Sequence, residues 1–270
     1  MSNTEHLNNL SWVELAIAAL LILVNGAISV ALRLGLEKKL AIAALRTVVQ
    51  LLAIGYVLQW VFALNRWYVV MAILVVMTLL AGNATTERGS ARYAGMGIDG
   101  LLSVWVSSWL VTAVGLFTVL RIHPWYEPRY AIPILGMVLG NTLSGVSVGM
   151  ERITNELQDK RDQIEMLLAL GATRWEAFRG AAVTAVRAGM MPAINAMSVV
   201  GIVSLPGMMT GQVLAGQDPQ QAIRYQIVIM FLITAASGLG TVAIVLLAFR
   251  RLFSAEHSFL YWRLSERPGG

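Results

Sequence analysis

The stretch YQIVIMFLITAASGLGTVAIVLLAF, residues 225–249, contains 25 residues without one Asp, Glu, Lys or Arg. A helix of about 20 apolar residues crosses a hydrocarbon core of roughly 30 Å. A charged side chain at its centre costs about 2.5–3.5 kcal/mol. This stretch is therefore predicted to be a transmembrane helix. Six further charge-free stretches have 18 or more residues: 15–32, 47–65, 67–86, 100–120, 130–150 and 188–217.

The composition points to the same fold class. The 270 residues are 57% hydrophobic and 13% charged, whereas globular proteins are about 45–50% apolar and about 25% charged. We expect an all-α, polytopic integral membrane protein with about seven transmembrane helices, forming a single transmembrane domain over residues 1–270. The predicted spans are 12–32, 45–64, 67–85, 100–120, 130–150, 188–205 and 224–249.

The distribution of basic residues predicts the orientation. Sixteen of the 20 Lys and Arg residues fall in alternate connecting segments, and the other segments hold only Arg66, Arg121, Arg129 and Arg224. The positive-inside rule then places the N-terminus outside and the C-terminus in the cytoplasm. We expect a multi-pass protein of the plasma membrane, the inner membrane of a bacterium. This topology explains the net charge of +5, so no nucleic-acid partner is expected.

The sixth charge-free stretch is too long and too interrupted for one simple helix. Residues 188–217 would span about 45 Å as a helix, and Pro192, Pro206 and several glycines interrupt them. We expect a crossing helix that ends near Leu205 and then an irregular outer segment, SLPGMMTGQVLAGQDP, residues 204–219. Irregular backbone at membrane depth needs protein or a wet cavity beside it. A cavity-lining segment and a surface loop both remain open.

The fifth span carries small residues at a spacing of four. Gly136, Gly140 and Ser144 form one row, and a second row lies beside it: Asn141, Gly145 and Gly149. Small residues at this spacing let helix backbones approach closely. We expect this face to pack on another helix, in the same chain or in a second copy.

One long cytoplasmic segment, residues 151–187, follows that span. Its first half, ERITNELQDKRDQIEMLLAL, has apolar residues at helical spacing and is predicted to continue the helix as an amphipathic one. In LGATRWEAFRG, residues 170–180, Gly171 ends one helix and Thr173 can cap a short next one. This elbow is either a solvated turn or a docking element for a soluble partner.

Motifs of enzymes are absent or misplaced. GVSVG at 145–149 matches a nucleophile elbow but lies in a predicted helix, and GMGIDG at 95–100 follows a polar loop. No P-loop occurs, and no acid or histidine is expected near the membrane midplane as a proton relay. The chain is therefore not expected to be an enzyme. Its methionines fit adaptable packing better than a soft-metal site, so the metal ligands are unknown.

Two strings carry a family resemblance: LALGATRWEAF, residues 168–178, and VGIVSLPGMMTGQVLAGQDPQQAIRYQI, residues 200–227. With them the chain resembles the FetB-type (YbbM) permeases of ABC transporters over about residues 12–255. The resemblance implies the membrane subunit of a putative iron exporter. It also implies a separate cytosolic ATP-binding subunit that uses ATP, no cofactor bound by this chain, a second copy of the chain, and alternating access.

The resemblance also suggests where such functions lie. In ABC permeases a short cytoplasmic helix fits a groove on the ATPase, and here the corresponding residues are Leu170, Gly171, Ala172, Thr173, Glu176 and Ala177. We hypothesise that a solute pathway is lined by Asn141, Ser144, Asn195, Met208 and Met209. The competing interpretations are a stand-alone secondary carrier or channel, and a membrane-embedded enzyme that would use Ser147.

Overall fold

A computed structural model describes residues 12–64, 66–84 and 91–266 of the chain. Arg88 and Arg267, both assigned to cytoplasmic segments, and residue 85 of the third predicted span lie outside these ranges. Apart from two short strands, the secondary structure is helical. The chain forms two compact units, residues 1–65 and residues 66–270, which we describe separately.

The first unit is a pair of helices, α1 (Trp12–Ala31) and α2 (Glu37–Leu64). The turn between them is held by Ser29, whose hydroxyl accepts the backbone N–H of Leu36 at 2.9 Å. The same hydroxyl donates to Glu37 Oε2 at 3.1 Å. Gly35 has a φ of 66°, which favours glycine. Helix α2 begins eight residues before the predicted span. The prediction left these first turns out because they carry Glu37, Lys38 and Lys39.

The second unit has four central helices that pack on one another: α4, α5, α7 and α9. Helix α3 packs on α4 and α5, α8 packs on α9, and β1 pairs antiparallel with β2. In chain order the elements are α3 (Trp67–Ala84), β1 (Ala91–Tyr93), α4 (Met96–Val114) with a π-helical turn (Gly115–Val119), α5 (Pro128–Asp159), α6 (Arg161–Ala169), α7 (Arg174–Val199), α8 (Gly207–Leu214), α9 (Pro219–Leu252), a 3₁₀ turn (Tyr261–Arg263) and β2 (Leu264–Glu266).

Five helical segments in the described ranges are long and apolar enough to cross a membrane, which supports the all-α polytopic fold class. They are Val13–Ala31, Glu37–Leu64, Met96–Val119, Pro128–Asp159 and Pro219–Leu252. A shorter apolar segment, Trp67–Gly82, belongs to α3, and α7 has 26 residues but four charged ones, all within its first 14 residues. The count of seven spans and the orientation stay predictions.

The helix after the elbow differs from the sequence-based expectation. A short helix at Trp175–Phe178 and a separate span at 188–205 were predicted, but α7 runs without a break from Arg174 to Val199. The alanine-rich run after Phe178 favours helix, and neither Gly180 nor Pro192 ends it. The helix stops at Val200, which is extended, and Gly201 follows with a φ of 84°. The segment expected to be irregular contains helix α8.

The small-residue rows on α5 behave differently from each other. A Cβ added to Gly145 would lie 2.9 Å from the carbonyl oxygen of Gly189 on α7. A Cβ on Gly149 would lie 2.8 Å from Thr241 Cγ2 on α9. This second row therefore sits where α5, α7 and α9 meet at close range, as predicted. Gly140 of the first row has no atom within 4 Å of such a Cβ, so that position is open.

Candidate functional site

The elbow between α6 and α7 is built by glycine and a helix cap. Gly171 has a φ of 91°, and the backbone N–H of Ala172 donates to Leu167 O at 3.0 Å. Thr173 then caps α7: its Oγ1 accepts the N–H of Glu176 at 3.3 Å, and its own N–H donates to Glu176 Oε2 at 2.7 Å. Hydrogen bonds from the Thr173 side chain and backbone lower the pKa of Glu176. This capping box fixes the start of α7.

An aromatic cluster fastens the elbow to the end of α9. The ring centroids of Phe178 on α7 and Phe249 on α9 are 4.9 Å apart, and those of Trp175 and Phe249 are 5.4 Å apart. Phe253 continues the cluster, with its ring 5.0 Å from that of Phe259. Phe178 and Phe253 are buried. The first turn of α7 and the last turn of α9 are therefore packed as one piece.

Polar contacts reinforce this attachment beyond α9. The backbone N–H of Arg174 donates to His257 Nδ1 at 3.0 Å, and its Nη1 donates to Ser254 O at 3.0 Å. On the other side of the elbow, the guanidinium of Arg161 lies 4.0 Å from the centroid of the Tyr261 ring. The segment after α9 thus holds both α6 and α7. Sequence analysis assigned it no role, although its FSAEHSFLYW run is rich in aromatic residues.

The six predicted coupling residues lie together at this elbow but differ in exposure. Leu170 is 78% exposed, and Gly171, Thr173 and Glu176 are also exposed. Ala172 is half-buried and Ala177 is buried against the rest of the unit. Met166 on α6 is a further exposed apolar side chain near the tip. The elbow therefore presents apolar groups on a backbone that the cap and the aromatic cluster hold in place.

A buried ion pair ties α4 to the same end of α9. Asp99, in the first turn of α4, is 1% exposed, and Arg251 Nη2 lies 2.9 Å from its Oδ1. Arg251 Nε donates to Asp99 Oδ2 at 3.0 Å, so the contact is bidentate. Burial, followed by the charge of Asp99, raises the pKa of the nearby Tyr93 hydroxyl above its ordinary value. No local sequence pattern indicates this pair, because its partners are 152 residues apart.

At the other end of the unit, a cavity of about 540 Å³ lies between the end of α7, helix α8 and the start of α9. We call it the outer cavity, after the orientation predicted from the sequence. Its walls include Met197, Met209 and Met230, and Thr234 donates a hydrogen bond to Met197 Sδ at 2.9 Å. Gln226 also lines the cavity. Its Oε1 is buried, and no hydrogen-bond donor within the described residues reaches it. The cavity is thus apolar, with one unsatisfied polar acceptor in its wall.

The structure places the predicted pathway residues on three helices, α5, α7 and α8. Met209 lines the outer cavity, and Met208 is its half-buried neighbour on α8. Asn195 is exposed on α7 and does not line that cavity. On α5, Asn141 donates to Met137 O at 2.8 Å and Ser144 donates to Gly140 O at 3.3 Å. The hypothesis of one shared pathway for all five residues stays a prediction.

A seam of buried hydroxyls, which sequence analysis missed, lies between α4, α5 and α9. On α4 the hydroxyls lie one to four turns after Asp99. Helix α9 approaches them closely at Gly240, where an added Cβ would lie 2.9 Å from Ser107 Oγ on α4 and from Thr142 Cγ2 on α5. The detectable signal is hydroxyl spacing of four residues on α4. Its members are Ser103, Ser107, Ser108 and Thr112 on α4, Thr142 on α5, and Ser237 and Thr241 on α9.

The described residues contain no cluster of His, Cys, Asp and Glu side chains of the kind that commonly holds a metal ion. Across residues 12–64, 66–84 and 91–266, no group of three His, Cys, Asp or Glu side chains converges. Hard cations prefer carboxylate and carbonyl oxygens as ligands. The polar groups near the outer cavity are instead an amide, hydroxyls and thioethers.

Comparison with known proteins gives a family and several relatives. A family model described as "Uncharacterised protein family (UPF0014)" matches residues 12–253. A UPF0014 membrane protein of Synechocystis sp. is 38% identical over 84% of this chain and 88% of its own length. The UPF0014 membrane protein YjkA of Bacillus subtilis is 32% identical over 92% of this chain and 97% of its own length.

A third relative has a more informative name. The "probable iron export permease protein FetB" of Escherichia coli is 29% identical over 96% of this chain and 99% of its own length. No solved structure matches the chain.

Proposed function

The chain belongs to the UPF0014 family of membrane proteins, and from this membership we propose that it is the membrane-spanning permease subunit of an ABC transporter. A separate cytosolic subunit binds and hydrolyses ATP, and this chain carries the solute across the bilayer. Seven helices cross the membrane, with the N-terminus outside and the C-terminus in the cytoplasm. The FetB relative, named as a probable iron export permease, supports the transport class.

The observation that carries the proposal is the exposed apolar tip of the elbow. Leu170 is 78% exposed beside Gly171, while the backbone on both sides is held by the Thr173 cap and the aromatic cluster. Contact with lipid would explain an exposed leucine on a transmembrane helix. The elbow that carries Leu170 also carries several charges, so it does not fit the bilayer interior. A groove on a soluble partner accounts for both features.

The helix that follows the elbow offers a route from partner to solute. Helix α7 is continuous from Arg174 to Val199, and the outer cavity begins beyond its last turn, at Met197 and Val200. Displacement of the elbow by ATP-driven closure of two partner subunits shifts α7 and alters the outer cavity. Two copies of the chain then alternate between inward-facing and outward-facing states.

The solute in this proposal is a metal ion, iron, exported from the cell. Its support is the name of the FetB relative. Met197, Met209 and Met230 around the outer cavity supply soft thioether sulfurs, and Gln226 supplies an amide oxygen. This chemistry suits a passing, weakly held ion better than a tight resident site, because transport needs a site that releases its ion.

The test is co-purification of the chain with its candidate ATPase, followed by ATP hydrolysis in lipid with and without iron. Leu170→Glu places a charge at the apolar tip, and Leu170→Met is the matched control that keeps it apolar. We expect Leu170→Glu to lose the ATPase with unchanged thermal stability, and the wild type to hydrolyse ATP faster with iron. Retained association of Leu170→Glu contradicts the docking assignment. Transport without any ATPase partner contradicts the ABC assignment and favours a stand-alone carrier or channel.

A further inference from the structure

A crevice of about 740 Å³ opens between α4 and α9 at the end of the unit that carries the elbow. Its walls are aliphatic: Leu102 and Val106 on α4, and Leu246 and Leu247 on α9. At the elbow end, the lining changes to Arg174, Trp175 and Arg250. The crevice is therefore apolar along its length and basic at one end.

The two arginines are not neutralised by carboxylates. Within the described part of the chain, neither Arg174 nor Arg250 has an ion-pair partner, whereas the neighbouring Arg251 is bound by Asp99. Arg174 donates one hydrogen bond to Ser254 O, and its guanidinium lies 5.4 Å from the centroid of the Phe249 ring. The nearest acid on its own helix, Glu176, is engaged in the capping box. Arg250 is exposed.

Arg250 also lies at the depth where a lipid headgroup is expected. Helix α9 has no charged residue between Arg224 and Arg250, a separation of about 39 Å along a helix. The bilayer including its headgroup regions is about 40–45 Å thick. Arg224 and Arg250 therefore mark the two membrane surfaces, and the aliphatic walls of the crevice lie on the hydrocarbon side of Arg250. Trp175 at the mouth is typical of this interface.

A second crevice, of about 370 Å³, lies on the other side of Trp175 and Leu246, which line both. Its basic residues are Arg179 and Arg187, with Val183 and Val242 among the apolar ones. No carboxylate pairs with either arginine in the described ranges. Four arginines thus line the two crevices that share Trp175.

We propose that the first crevice is a binding site for an anionic phospholipid. The phosphate lies between Arg174 and Arg250, and an acyl chain lies along Leu102, Val106, Leu246 and Leu247. Charge complementarity selects the anionic headgroup, and the aliphatic walls require a chain attached to it. The site depends neither on the transported solute nor on the direction in which the chain is inserted. Because the lipid bridges α4, α9 and the first turn of α7, it stabilises the elbow on the membrane surface.

The experiment measures lipids retained by the full-length protein, purified in mild detergent, in a native mass spectrum. Equal amounts of phosphatidylglycerol and phosphatidylcholine are supplied, and the bound ratio is recorded. An arginine near a membrane surface favours an anionic lipid by about fivefold. We expect the wild type to retain more phosphatidylglycerol than phosphatidylcholine. Arg250→Gln should lower the bound ratio of the two lipids about fivefold, and Arg250→Lys should leave it unchanged.

Two further variants separate this site from general electrostatics. Arg224→Gln removes the same charge at the other end of α9 and is expected to leave the ratio unchanged. Ala243→Phe fills the crevice without changing charge and is expected to reduce retention of phosphatidylglycerol. Equal retention of both lipids by the wild type overturns the proposal. An equal loss in Arg224→Gln and Arg250→Gln also overturns it, as does displacement of the lipid by millimolar glycerol phosphate, which has the headgroup without the chains.

Discussion

Asp99 and Arg251 join the first turn of α4 to the last turn of α9 through a two-point ion pair, with the carboxylate buried and the guanidinium 41% exposed on its outer side. Removing the cation from such a pair leaves an uncompensated charge in the protein interior, which destabilises the folded state. The pair stands next to β1 and the start of α4, where Gly95 leaves room for the guanidinium: an added Cβ would lie 2.7 Å from Arg251 Cζ.

Arg251→Gln is expected to destabilise the protein by about 2–3 kcal/mol, because it leaves the Asp99 charge buried without a cation. The partial exposure of Arg251 keeps the loss below that of a fully buried pair. Thermal unfolding in detergent measures the change. Arg224→Gln, at the other end of α9 and without an ion-pair partner in the described ranges, is the control and should change stability little. Equal losses in both variants would show that the ion pair is not the cause.

Gly145→Ala is expected to destabilise the unit by about 1–3 kcal/mol, because the added methyl group would meet the carbonyl oxygen of Gly189 at 2.9 Å. Gly140→Ala, on the same helix, has nothing within 4 Å and should be neutral or stabilising, since alanine favours helix. Unfolding midpoints of the two variants give the comparison. A neutral Gly145→Ala would mean that α5 and α7 separate easily at this point.

Phe178→Ala should cost about 3–5 kcal/mol, because Phe178 is fully buried in the aromatic cluster that attaches the elbow to α9. Phe231→Ala is the matched control, since Phe231 is 64% exposed on the same bundle. Thermal unfolding of the two variants is the measurement. A small effect of Phe178→Ala, comparable to that of Phe231→Ala, would remove the basis for treating the elbow and α9 as one piece.

The capping box predicts a pH dependence at the start of α7. Its hydrogen bonds lower the pKa of Glu176, so this contribution is complete above the unfolded value of about 4.3. It is lost as the pH falls through the lower folded value. We expect the protection of the first-turn amides, relative to their intrinsic exchange rate at each pH, to fall below pH 4, and to be about fivefold lower in Thr173→Ala at pH 7. Thr184→Ala, a mid-helix change in α7, should leave them unaffected. Unchanged exchange in Thr173→Ala would rule out the cap as the source of order.

Gln226→Leu is expected to stabilise the protein by about 1 kcal/mol, because it removes a buried acceptor that has no donor among the described residues. The same change should lower solute transport if the outer cavity lies on the pathway. Gln221→Leu, an exposed position in the first turn of α9, is the control for both readouts. A Gln226→Leu protein that is less stable would show that the amide has a partner which this structure does not reveal.

Charge-free length was sufficient to predict most of the helices, because exclusion of charge from lipid is a local property of the sequence. The amphipathic character of the end of α5 and of α6 was predictable, since Ile153, Leu157 and Ile164 recur at helical spacing and are buried. The break between the two helices at Lys160 was not predicted. The cap formed by Thr173 and Glu176 is also local, because the two residues are only three positions apart in the sequence. Gly145 and Gly149 were recognised as a packing face from their spacing alone.

The features that sequence analysis missed depend on contacts between distant segments. Asp99 with Arg251 and Arg174 with His257 are brought together only by the fold. The continuity of α7 was missed because the predicted span was counted from the charge-free stretch after Arg187, whereas the helix includes Arg174, Arg179 and Arg187. The hydroxyl seam was missed because serine and threonine in a membrane helix normally bond to their own backbone, as Ser103 does with Asp99 O.

The close contact of Gly145 with Gly189 divides α7 unequally. About 22 Å of helix lies between Arg174 and Gly189, and about 15 Å lies between Gly189 and Val199. A rod pivoting at that point moves its two ends in opposite directions. A sideways movement of the elbow end by a given distance would then move the far end the other way by about two-thirds as much, less the part taken up by bending at Pro192. The contact between Gly145 and Gly189 would then act as a pivot, with the longer part of α7 on the side of the elbow, where the movement begins.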